Sequence, residues 1–291
     1  MFSETVCCVW DIHGNDIVAA ISVYITSYNQ KGFLSQAIDS VLNQTLHPME
    51  IIVVDDCSTD GSQELISGYC SRYPHLFRTM FHDTNLGISR CRQEALSTVR
   101  GEYVTWVDGD DRFLPEKLAS EYRLLQNSPH ARIAFSNICY MDADGMELMI
   151  WAEEESPPQG DVFVKVFARD FPRRNLFRSE LVHYPSWKSI GFHDPQLKLY
   201  EDFEMRIRLS SHYQGVYCPK ILSEYRFHEG GLSRSDPKMH IEALTHIWHK
   251  NKLLLNTLSE DRQEYVRTRF NSWMAPIYQR AGLESFEALV F

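Results

Sequence analysis

Apolar, β-branched runs that alternate with helix-patterned segments constrain this chain more than anything else in its sequence. Residues 18–26, 51–54, 77–81 and 103–107 read as strands, the first, second and last of them buried and rich in Val and Ile. Between them apolar residues recur every three or four positions: Leu34, Ala37, Ile38, Val41 and Leu42, then Leu65, Ile66 and Tyr69, then Ile88, Cys91, Ala95 and Val99. Strands separated by helices of about a dozen residues make βαβ units. The expectation is an α/β fold: a mostly parallel, Rossmann-like sheet with helices on both faces.

Turn and cap residues fall where this reading needs them. Ser58-Thr59-Asp60-Gly61-Ser62 supplies N-cap chemistry before the second helix, Gly101 closes the third, and Pro115-Glu116 opens a fourth carrying Leu118, Tyr122 and Leu125. Residues 131–141 read as another strand, with Asp142-Ala143-Asp144-Gly145 turning into residues 148–151. Beyond Trp151 the pattern weakens. Residues 153–160 form a polar, Pro-containing loop. Glu201-Asp202 precedes Phe203, Met205, Ile207 and Leu209 at helical spacing, residues 221–227 read as a last strand, and the chain from Met239 onward is largely helical.

Ligands of open α/β sheets bind outside the carboxyl ends of the strands. Three strands here end in polar groups at that edge: Thr26-Ser27-Tyr28-Asn29, Asp55-Asp56, and Asp108-Gly109-Asp110-Asp111. The carboxylates of Asp108, Asp110 and Asp111 repel one another unless a cation or hydrogen-bond donors lie close. Gly109 removes a side chain where a ligand or metal would approach the backbone. Alone, such a cluster is as readily a solvated turn; three polar tips on one edge favour a metal-held polyphosphate. No G-x-x-x-x-G-K-[ST] loop, no G-x-G-x-x-G after the first strand and no G-x-S-x-G elbow occurs. P-loop ATPase, nicotinamide dehydrogenase and serine-hydrolase readings therefore have no support.

Bulk properties exclude further classes. With 29 basic against 39 acidic residues the net charge is −10, which disfavours a nucleic-acid partner. The 7 cysteines show no C-x-x-C pairing and read as reduced, structural thiols rather than zinc ligands. No run of about 18 apolar residues offers a membrane span, and no basic segment precedes an apolar core at the start of the chain. The expected location is cytoplasmic, with attachment to the inner face of a membrane left open.

Taken in order, Thr26-Ser27-Tyr28-Asn29, Val53 through Asp60, Asn85 through Arg92, Gly101 through Asp111, and Glu201-Asp202 resemble the inverting family 2 glycosyltransferases of the GT-A fold, the kind that builds bacterial polysaccharides. The resemblance runs from about residue 18 to residue 228 and departs from the family where Cys91-Arg92-Gln93 replaces a frequent Ala-Arg-Asn. It implies a nucleotide-sugar donor, UDP-linked, and a hydroxyl of a glycan or glycolipid acceptor. Thr26, Tyr28 and Asp56 would line the nucleoside pocket, Tyr28 against the base and Asp56 accepting a hydrogen bond from it, with Arg92 near the nucleotide. Asp108-Gly109-Asp110 corresponds to the D-x-D motif, with Asp108 on the ribose side and Asp110, together with Asp111, holding Mn2+ or Mg2+. Asp202 matches the general base, and His228, within Tyr225 through Ser233, lies near metal and pyrophosphate.

Each assignment has a plainer reading: Tyr28 as a packing aromatic, Arg92 as the partner of an acid, Glu201 as structural, His228 as a surface histidine. The implied organisation is an extension over residues 1–17, a GT-A domain over 18–235 (nucleotide-binding half 18–112, acceptor half 113–235) and a helical segment over 236–291. The apolar helices of that last segment could serve an oligomer interface or a lipid surface. Transfer onto a polyprenyl phosphate, a sugar-phosphate nucleotidyltransferase and a non-catalytic scaffold are the competing functions.

Overall fold

The computed structural model describes the backbone of residues 9–10 and 16–17, and residues 20–228 and 235–283 in full. Strands β1 (Val9–Trp10) and β2 (Asp16–Ile17) pair with each other as a separate antiparallel ribbon. The main sheet has nine strands.

Its first half consists of the expected βαβ units. Strands β3 (Ile21–Ser27), β4 (Glu50–Asp55), β5 (Phe77–Phe81) and β6 (Tyr103–Asp108) run parallel in the order β5-β4-β3-β6. Helices α1 (Lys31–Leu42), α2 (Ser62–Arg72) and α3 (Ile88–Thr98) connect them. Side chains alternate across a strand, so β3 sends Tyr24 into one core with Ile52, Val54 and Trp106, and Val23 and Ile25 into the other with Ile51, Val53 and Val107. Burial on both faces is why these strands read as continuous apolar runs.

The second half contains β7 (Arg112–Phe113), α4 (Lys117–Gln126), β8 (Ala131–Met141), β9 (Glu147–Ile150) and α5 (Phe163–Phe167). There follow β10 (Leu181–His183), α6 (Tyr184–Ile190), α7 (Glu201–His212) and β11 (Gln214–Arg226). The sheet continues β6-β10-β8-β11-β7, with β9 on the edge of β8. Because β10 is antiparallel to both β6 and β8, while β11 is parallel to β8, strand β11 points the same way as β6. Its carboxyl end therefore arrives at the acid-tipped edge.

Helices α8 (Pro237–Leu255) and α9 (Glu260–Arg280) pack back onto α5 and α7. Trp248 meets Phe167 at 5.8 Å and Phe270 at 4.8 Å, and Leu244, Ile247, Met274 and Phe203 share the same core. That packing takes up most of the apolar surface considered for an oligomer or lipid contact. Met239, Leu253 and Leu283 are the large apolar side chains it leaves exposed among the described residues of this segment.

Candidate active site

Strand register builds the site. Thr26 of β3 lies beside Asp108 of β6, and Ser27 beside Asp55 of β4, so three carboxyl ends finish level with one another. A cleft of about 420 Å³ opens above them. Thr26, Tyr28, Asp56, Arg92, Asp108 and Asp110 line it from the first half, and Arg178, Glu201, Asp202, Tyr225 and His228 from the second. Every residue expected from the sequence faces this cleft except Asp111.

At the β3 end of the cleft, Tyr28 is 49% exposed, which rules out a packing role for its ring. Asp56 is buried, and the start of α3 orients it. One carboxylate oxygen accepts the Leu86 N–H and the other the Gly87 N–H, both at 2.8 Å. Its Oδ1 also lies 2.8 Å from Nδ1 of His82, whose Nε2 is 2.9 Å from Glu94. Burial opposes charge on His82, but hydrogen bonds to Asp56 and Glu94 prevail and raise its pKa above the ordinary value. Asp56, His82 and Cys91 bring three ligand-type atoms within 4.8 Å of one another. They suit a metal poorly, since backbone N–H groups already occupy the carboxylate and burial pushes the Cys91 thiol far up.

Asp108 is held from two sides. It accepts from the Thr26 hydroxyl at 3.1 Å and from Arg92 Nη2 at 2.7 Å. Arg92 Nη1 is 2.9 Å from Glu201 of α7, so the guanidinium joins the two halves of the cleft. Arg92 thus sits where the sequence placed it, with its fork turned to acids. Asp110 reaches the other way, its Oδ2 2.7 Å from His228 Nε2. Burial and then Asp108 raise the Asp110 pKa, which His228 partly offsets.

Two expectations require correction. Asp111 does not join Asp110 and His228 in a three-ligand group: it is 8% exposed and accepts the Arg226 backbone N–H at 2.8 Å, pinning the loop to β11. Gly109 makes room for protein, not ligand. A Cβ there would sit 2.6 Å from Gln30 Oε1 and 3.1 Å from the Thr26 carbonyl oxygen. The rest of the segment after His228, residues 229–233, lies outside the described residues.

Asp202 stands in the first turn of α7, where the helix dipole favours an anion. One of its oxygens accepts the Phe203 N–H at 2.8 Å, and the other lies 2.5 Å from Arg206 Nη1. Burial alone would raise its pKa, but Arg206, Arg92 and Arg178 hold it well below the usual carboxylate range. Its neighbour Glu201 behaves oppositely: burial pushes it up to about 7 despite Arg92. Sequence reasoning missed Arg178, which stacks 3.9 Å above the Tyr225 ring and has no carboxylate at ion-pair distance among the described residues. It lies in a stretch without a readable motif.

With this geometry in place, comparison with known proteins decides the family. Residues 22–180 match the sequence profile described as Glycosyl transferase family 2. The chain belongs to glycosyl transferase family 2. An uncharacterised protein of Mycobacterium tuberculosis is 30% identical over 223 residues, which is 74% of this chain and 61% of that relative. The chain therefore spans about three fifths of the length of this curated relative. S. aureus TarS 1–349 in complex with UDP-GlcNAc superposes with a TM-score of 0.67 at 21% identity, covering 94% of this chain and 76% of that one. The mannosyltransferase PcManGT from Pyrobaculum calidifontis, in complex with GDP-Man and Mn2+, gives 0.61 at 14% identity, covering 92% and 76%. At those identities the likeness is one of fold, and it is the GT-A arrangement. The family 2 match stops at residue 180, so Asp202 and His228 stand on the geometry described above.

Proposed function

We propose that this family 2 chain is an inverting, divalent-metal-dependent glycosyltransferase, moving a sugar from a UDP-linked donor to a hydroxyl of a glycan or glycolipid. One observation carries the reading: a single cleft sets an ionised carboxylate, Asp202, with a carboxylate–imidazole pair, Asp110 and His228, at the carboxyl edge of the sheet. The base would lie against Tyr28, with a lone pair of Asp56 facing a ring N–H such as uracil or guanine carries. TarS in its UDP-GlcNAc complex supports uracil over guanine, and PcManGT with GDP-Man shows that the fold takes either.

An oxygen of Asp110 and a ring nitrogen of His228, 2.7 Å apart, form a mixed donor set that suits Mn2+; Asp110 alone would suit Mg2+, which keeps waters and substrate oxygens as its other ligands. A divalent cation bound there would neutralise charge growing on the departing diphosphate. Asp202 accepts the proton of the acceptor hydroxyl as that oxygen attacks the anomeric carbon and the bond to the diphosphate breaks. One displacement from the opposite face inverts the anomeric centre. Arg178 offers a guanidinium edge to an oxyanion in the cleft.

Residues 113–235 and the C-terminal helices would shape the acceptor side. No described helix is long and apolar enough to cross a membrane, so a lipid-linked acceptor would be met at a surface. Arg178 also favours a second reading, transfer onto a polyprenyl phosphate, which Asp202 disfavours because a phosphate acceptor needs no base. Calorimetry with UDP and GDP, each with and without Mn2+, tests the proposal. UDP should bind most tightly, and only with Mn2+ present; equal affinity in all four titrations would refute it.

A further inference from the structure

We infer that His240 of α8 is a positioning residue for Asp202, acting through Tyr200, so that the C-terminal helices belong to the catalytic unit. The inference rests on Asp202 being the base.

Tyr200 immediately precedes α7 and has a φ of 62°, in the left-handed region that side chains other than glycine rarely adopt. Its carbonyl accepts the Glu204 N–H at 3.0 Å, closing the first turn of the helix. The direction in which Asp202 leaves the backbone therefore depends on how Tyr200 is held. A conformation of this kind persists only where surrounding contacts over-determine it.

Those contacts come from beyond the family 2 match. The Tyr200 hydroxyl lies 2.8 Å from His240 Nδ1, and the two rings meet edge-on at 5.5 Å. Trp273 of α9 packs against Tyr200 at 5.5 Å and against Phe203 at 5.6 Å. His240 is buried yet lines the same cleft as Asp202. Burial, aided by Arg280, lowers its pKa against the opposing pull of the Ser235 backbone and Asp236, as suits a neutral ring accepting the tyrosine proton. One imidazole thus fixes the strained residue two positions before the base.

The test uses the full chain with Tyr200→Phe, His240→Leu, the double variant and His240→Asn, whose amide can take the place of Nδ1. UDP release from UDP-glucose, UDP-galactose and UDP-N-acetylglucosamine is followed with water as acceptor, which removes acceptor contacts from the readout. Calorimetry gives UDP affinity, and hydrogen exchange follows the Glu204 amide without requiring turnover. Tyr200→Phe and His240→Leu should each lower kcat about 10-fold or more, as expected for a misplaced catalytic group. They should also speed Glu204 exchange and leave UDP affinity within about twofold. The double variant should be no worse than the poorer single one, because both remove the same bond. His240→Asn should recover most of the loss. Unchanged kcat and exchange, losses that multiply, or UDP affinity falling in step with kcat would each overturn the inference. Asp202→Asn run alongside separates the two ideas: turnover kept in Asp202→Asn removes the base itself. Turnover lost there but kept in Tyr200→Phe removes only the role of His240.

Discussion

His228 places its Nε2 2.7 Å from Oδ2 of Asp110, across 118 residues of chain. Strand β11 makes this contact by ending on the same edge as β6, and the Phe33 ring, 5.2 Å from the imidazole, backs it from α1. Asp110→Asn should keep the fold and lose the strengthening of UDP binding by Mn2+, by about tenfold or more as for lost ligands and their supports. In the native protein Mn2+ affinity should rise with pH, because the raised pKa of Asp110 makes the metal compete with a proton. Calorimetry of Mn2+ binding over a series of pH values, with Asp110→Asn alongside, checks both.

Arg206 carries two buried acids at once. Its Nε and Nη2 hold Glu180 at 2.7 and 2.9 Å, while Nη1 holds Asp202. Arg206→Met would leave Glu180, with no exposed side-chain surface, without its cation. We expect a loss of about 3–5 kcal/mol in urea unfolding, the range for breaking one side of a buried pair. Asp202→Asn should cost far less stability, because Arg206 keeps Glu180.

The hydrogen bonds of His82 to Asp56 and Glu94 predict a pH-dependent stability. Its pKa is raised in the folded protein, so folding binds its proton more tightly. That contribution is fully present below the unfolded value of about 6.5 and is lost as pH rises through the higher folded value. The Tm difference between native protein and His82→Gln should be largest below pH 6, on the order of 2 °C, and should shrink toward pH 8. A difference that grows with pH would have the wrong sign.

Arg178 should matter to turnover more than to the fold. Arg178→Met removes a cation that makes no ion-pair contact with a described carboxylate but helps keep Asp202 ionised, so stability should change less than turnover, with kcat/KM for UDP-sugars falling about tenfold or more. Arg178→Lys should recover only part, because an ammonium keeps the charge but loses the planar fork stacked on Tyr225. Unchanged kcat/KM in Arg178→Met would remove this residue from the cleft chemistry.

Sequence showed the βαβ half clearly, because each of its strands is long enough to display a pattern and each helix keeps its spacing. Residues 77–81 and 131–141 were legible to the residue. Strands of two or three residues, β7 and β10, carry no periodicity and went unseen. The first part of β11 was hidden because Pro219 interrupts the ladder, where the register shifts between Cys218 and Ile221. At the site, acids on strand ends were visible because chain direction alone brings them together. Arg178 was not, since it lies in an irregular stretch before the short strand β10, nor were Tyr200 and His240, which the packing of α7, α8 and α9 carries to the cleft.

UDP release from a UDP-sugar by Asp202→Asn, compared with native protein at matched UDP affinity, bears most directly on the proposed chemistry. Loss of a general base predicts a fall of about 10²–10⁴-fold in kcat with UDP and Mn2+ binding unaltered. Native turnover in Asp202→Asn would contradict it.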